Sequence, residues 1–125
     1  MGSLRLSSKK ILDRKLCYEL WVGKHSEYGR LSIYKIPLIL AEMGVVNQEL
    51  GKNVTPQGVW RAANLYILEF PEIAKKDTVS IFSQFGKILD DDEWGKEMIG
   101  RARQFLSRSS YRNFLKDNPE YVKYE

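Results

Sequence analysis

A chain of 125 residues with 43% apolar and 29% charged side chains is the size of one globular domain and has enough hydrophobic material to fold. Its uncharged stretches, such as Ile36 to Ala41, are far shorter than the roughly 20 apolar residues of a membrane-spanning helix, so a membrane protein is not expected. One cysteine, Cys17, and one histidine, His25, exclude an intrachain disulfide and a zinc site built on Cys and His.

The charged segment Met1 to Lys15 lacks the apolar block of a secretory leader, and Leu6 stands where myristoylation needs Ser or Thr. An intracellular setting, cytoplasmic or nucleoid-associated, is therefore expected. The net charge of +4 is localised. Residues 1 to 30 carry seven basic and three acidic side chains, and the remaining chain is balanced. Within that balance, Arg101, Arg103, Arg108, Arg112 and Lys116 form a run free of acids between Glu97 and Asp117. Two basic patches of this kind attract polyanions by releasing counterions.

In chain order, Ser7 or Ser8 is placed to cap a helix through about Trp21, with Ile11, Leu12, Leu16, Cys17, Leu20 and Trp21 on one apolar side and Gly23 as its stop. Lys24 to Leu31 has no sustained periodicity and reads as a loop. A short apolar helix follows, containing Ile33, Ile36, Leu38, Ile39, Leu40 and Met43 and ending at Gly44. Pro37 moves its start from Ser32 toward Ile36, because proline fits only the first helical turn.

Val45 to Val54 reads as a connection. Thr55-Pro56 then marks a helix start, with a threonine N-cap and a proline at the first position, and Phe70-Pro71 ends that helix at about Glu69. Pro71 to Lys75 reads as a short helix. Thr78 is placed to cap Val79 to Leu89, Asp90 to Asp92 to cap Glu93 to Ser107, and Ser109 or Ser110 to open a segment through Lys116 before the Asn118-Pro119 tail. No alternating strand pattern or internal repeat is evident. The expected class is all-α: one domain over 1-125, with a helix-turn-helix unit at 32-70 and a helical extension at 71-125.

The helix after Pro56 decides the functional reading. At 100° per residue, Ala62, Ala63, Tyr66 and Phe70 cluster around Val59 as the inward stripe, with Trp60 and Ile67 at its margin. Gln57, Arg61 and Asn64 fall opposite. Amide side chains bond adenine bidentately and guanidinium bonds guanine, so these three are the candidate base readers. Thr55, Lys9, Lys10, Arg14, Arg101, Arg108, Arg112 and Lys116 are the candidate phosphate ligands. Leu65 and Leu68 lie later on the same side as the readers, where another element or subunit is expected to cover them.

Through Ile36, Leu40 and Gly44, followed by Thr55, Val59, Arg61 and Ala62, the segment resembles the helix-turn-helix superfamily. Its second half is similar to the Thr-x-x-x-Val-x-Arg-Ala recognition helix of sporulation-type response regulators. Pro37 and the long link from Val45 to Val54 depart from that pattern, and no winged hairpin is evident. Combined with the later helices, the plan is also compatible with phage small terminase subunits, a viral protein class. The resemblance implies a recognition helix in double-stranded DNA and a transcription-regulation role, with a homodimer as the default assembly.

An enzyme is not expected, and neither a metal, a cofactor nor a small-molecule substrate. There is no Gly-rich phosphate loop, the Cys17/His25 pair is split across a helix end, and Asp90, Asp91, Asp92 and Glu93 are accounted for by capping. The alternatives are a helical protein-interaction adaptor using Leu65, Leu68 and Trp60, and an RNA-binding protein using Tyr111, Tyr121 and Tyr124 among the C-terminal cations.

Overall fold

The structure, a computed structural model, describes residues 10-46, 54-82 and 90-125. The expected Ser7 or Ser8 cap, Lys9, most of the 45-54 connection and the Leu89 helix end lie outside these residues. The described chain is predominantly helical and the fold is all-α. It divides into two compact units, Met1–Tyr66 and Ile67–Glu125, where one core was expected. None of the described helices is long and apolar enough to cross a membrane.

In the first unit the chain enters as strand β1 (Lys10–Ile11) and turns at Asp13 into helix α1 (Arg14–Val22). The Asp13 carboxylate accepts the Lys15 amide at 3.0 Å, so the cap lies well after Ser7 and Ser8. Gly23 closes α1 with φ 87°, a left-handed conformation that lets its N–H return to the Glu19 carbonyl. A loop leads to α2 (Ile36–Glu42), which has Pro37 in its first turn and ends before Gly44 at φ 77°. Strand β2 (Val45–Val46) then pairs in parallel with β1, Lys10 opposite Val45 and Ile11 opposite Val46. This corrects the strand-free expectation: two β-branched residues after a left-handed glycine leave helical geometry, and Leu12 donates its amide to Val46 at 3.1 Å.

Helix α3 (Pro56–Glu69) starts and ends where the Thr55-Pro56 and Phe70-Pro71 signals place it. The first unit's core collects Cys17, Tyr18 and Leu20 from α1, Ile36, Ile39 and Leu40 from α2, Val45 from β2, and Val59, Ala63 and Tyr66 from α3. The rings of Tyr18 and Tyr66 approach to 4.6 Å between centroids. Leu38 does not join them. It is 66% exposed, with Tyr34 one turn earlier at 75%.

In the second unit the expected break at Thr78 is absent, because Pro71–Phe82 forms one helix, α4. Helix α5 (Asp91–Phe105) is capped by Asp90, whose carboxylate accepts the Glu93 amide at 2.7 Å. Helix α6 (Arg108–Asp117) is capped by Ser107, two residues earlier than expected, and a 3-10 helix at Pro119–Tyr124 follows. That last turn packs on both α5 and α6. Tyr121 is buried, its ring stacks on Phe114, and its hydroxyl accepts the Trp94 indole N–H at 3.0 Å.

Candidate functional site

The site expected from sequence is built on the first two turns of α3. Thr55 is exposed, and its Oγ1 accepts the Gly58 amide at 3.1 Å while its carbonyl accepts the Val59 amide. One of the otherwise orphan N–H groups of the first turn is thus satisfied, and Pro56 has no N–H to satisfy. The Thr55 hydroxyl keeps a proton to donate besides the bond it accepts.

Gln57 and Arg61 are both exposed, four residues apart and therefore neighbours on one face. Asn64 does not complete that face, which corrects its assignment as a base reader. It is only 3% exposed and its Nδ2 donates to the Trp60 carbonyl at 2.8 Å. Burial spreads around α3 after its second turn, taking in Asn64, Ile67 and Leu68, and the backbone carbonyl one turn earlier compensates the amide for lost water. Leu65 is half-buried, whereas Phe70, expected inward, is exposed. The apolar patch of Leu65, Leu68 and Trp60 is thereby reduced, since of the three only Trp60 is exposed.

The candidate phosphate ligands fall into separate groups. Arg14 is exposed on the first turn of α1, and Lys10 lies on β1. In the second unit Arg108, Arg112 and Lys116 are all exposed on α6. Arg101 is half-buried and its guanidinium donates to the Met98 thioether at 3.6 Å, because its position on α5 borders the buried side formed by Trp94, Met98, Ala102 and Phe105. Arg103, a member of the same acid-free run that was not among the expected ligands, is exposed as well. Its place between Glu97 and Asp117 carried that signal.

The remaining chemically active groups are engaged in structure. Burial, helped by Asp13, pushes the Cys17 thiol up to about 12, so it stays protonated, while His25 accepts the Glu27 amide through Nδ1 at 3.2 Å. In the acidic cluster, Asp90 is the cap of α5, and Asp91 receives the Lys75 ammonium at 2.6 Å. That hydrogen bond holds the Asp91 carboxyl below, and the Lys75 ammonium above, its ordinary value. Asp92 accepts the Tyr124 hydroxyl at 2.7 Å, which holds the phenol proton above its ordinary range. Among the described residues no three His, Cys, Asp or Glu side chains are grouped to hold a metal ion.

The tyrosines offered for base stacking are also committed. Tyr121 is buried, and Tyr111 donates its hydroxyl to Glu125 at 3.0 Å. What the start of α3 presents is a capped helix end with the Gln57 amide and the Arg61 guanidinium exposed. The chain matches no protein-family model, no curated protein and no solved structure.

Proposed function

We propose that the protein binds double-stranded DNA, with the first two turns of α3 as the reading element in a helix-turn-helix arrangement with α2. The observation that carries this reading is the division of α3. Val59, Ala63 and Tyr66 anchor one side in the core, while Gln57 and Arg61 stand in water on the other, beside the helix start. The amino-terminal turns of a recognition helix are the part that enters a major groove. Arg61 supplies a bidentate donor fork for guanine and Gln57 an amide for adenine. The hydroxyl of exposed Thr55 and the cation of Arg14 supply phosphate contacts that fix register without reading sequence.

The test begins with duplexes selected from a random pool by the unmodified protein. Arg61→Ala is expected to weaken the selected duplex by about 1 to 3 kcal/mol and a scrambled duplex hardly at all. Equal losses on both in a gel-shift titration overturn the base-reading role. A protein-binding reading draws on Tyr34 and Leu38, which expose apolar surface one turn apart. Self-association without duplex binding would favour it.

A further inference from the structure

We infer that the second unit carries its own duplex-backbone surface, the Arg108, Arg112 and Lys116 stripe of α6, which adds sequence-independent affinity; the inference rests on the DNA-binding reading of α3.

The three cations recur at intervals of four, so they span only about 80° of the helix circumference and about 12 Å of its length. All three are exposed, and none forms an ion pair among the described residues. One edge of the stripe is flanked by Ser109 and Asn113, neutral and exposed, and the other by Leu115 and Tyr111, both half-buried. Asp117, the only acid on α6, lies about 100° beyond Lys116. The concentration of charge is local, because residues 67-125 hold ten basic and eleven acidic side chains. Cations are gathered on α6 while Asp90, Asp91, Asp92 and Glu93 stand at the start of α5.

The rest of α6 identifies the partner. A helix that lies in a membrane surface must offer an apolar face to lipid, and here that face is spent: Phe114 is buried and stacked on Tyr121. A single-stranded nucleic acid is held by exposed aromatic platforms, yet Tyr111, the one aromatic residue bordering the stripe on α6, is half-buried and tied to Glu125. A line of three exposed cations, bordered on one edge by neutral polar residues and on the other by half-buried Leu115 and Tyr111, suits regularly spaced phosphates. Along one strand of a duplex a phosphate recurs every ~3.4 Å of axis, so a stripe of this length meets about three.

The experiment measures anisotropy of a fluorescent twenty-base-pair random duplex from about 50 to about 300 mM NaCl. It compares the unmodified full chain with a stripe variant (Arg108→Gln, Arg112→Gln and Lys116→Gln) and a control of equal charge change (Lys76→Gln, Lys96→Gln and Lys123→Gln). Loss of three phosphate contacts makes the slope of log affinity against log salt shallower by about 2.7, at ~0.9 per contact. The control is expected to change it by less than about one. An unchanged slope in the stripe variant, with duplex binding intact, overturns the stripe and leaves the α3 reading standing. A shallower slope in the stripe variant, together with equal Arg61→Ala losses on selected and scrambled duplexes, upholds the stripe and overturns α3. Tighter binding of the corresponding single strand, or duplex displacement by anionic phospholipid vesicles at matched charge, overturns the duplex assignment. Absence of salt-dependent binding overturns both.

Discussion

Cys17 keeps its proton because the interior of the first unit solvates a thiolate poorly, with Asp13 adding a repulsive charge. Below the ordinary thiol value of 9.0 the folded and unfolded chains both hold the proton, and Cys17 adds no pH dependence. Between 9.0 and about 12 the unfolded chain releases it and the folded chain does not, so stability falls as pH rises through that window. Urea titrations of the protein and of Cys17→Ala should therefore give a stability difference that shifts against the cysteine form by about 1.4 kcal/mol per pH unit above pH 9. A difference constant with pH would place the thiol in water. The burial of Cys17 was legible from its place in an apolar pattern. That of Asn64 was not, because an angular position shared with Gln57 and Arg61 says nothing of how far along a helix the core extends.

Both ends of α3 and the start of α5 were the most legible boundaries, and the reason is local. Thr55-Pro56, Phe70-Pro71 and Asp90 carry their own hydrogen-bonding or steric instruction, which tertiary contacts then left in place. The start of α1 was hidden because Ser7 and Ser8 are as good caps as Asp13, and only the pairing of β1 with β2, distant in sequence, takes Lys10 and Ile11 out of the helix. The union of α4 across Thr78 shows the converse, a capping residue overruled by helical continuity. At α5 the element-level prediction concerns Gly95, whose missing Cβ leaves the place occupied by the Tyr124 ring. Gly95→Ala must push that flexible ring aside and break its bond to Asp92, a loss of about 1 kcal/mol. In a Tyr124→Ala background the same change should stabilise by about 0.5 to 1 kcal/mol, since alanine is the better helix former. Thermal denaturation of the four chains checks this, and additive effects would mean that the ring does not rest on Gly95.

Across the whole chain the charge is unevenly shared: residues 1-66 hold ten basic and five acidic side chains, whereas 67-125 are nearly balanced. The exposed Lys75–Asp91 pair is of the kind that contributes little to folding and is screened by salt. Raising NaCl from about 50 to about 500 mM should therefore leave the urea unfolding free energy within about 1 kcal/mol, while duplex affinity falls by orders of magnitude. A parallel loss of both would tie the cations to folding rather than to a partner. The charge distribution was legible in the sequence, as was the four-residue spacing of the α6 cations. The division into two units was not, because it depends on which buried faces meet, a property no periodicity encodes.

Tyr121, on the C-terminal 3-10 turn, grips α5 through the Trp94 indole and α6 through the Phe114 ring, so one small turn acts as a clasp on two helices. Opening it deprives both helices of cover in a single event. Trp94 is buried, while Trp21 is half-buried and Trp60 exposed, which makes the indole at position 94 an optical witness to that clasp.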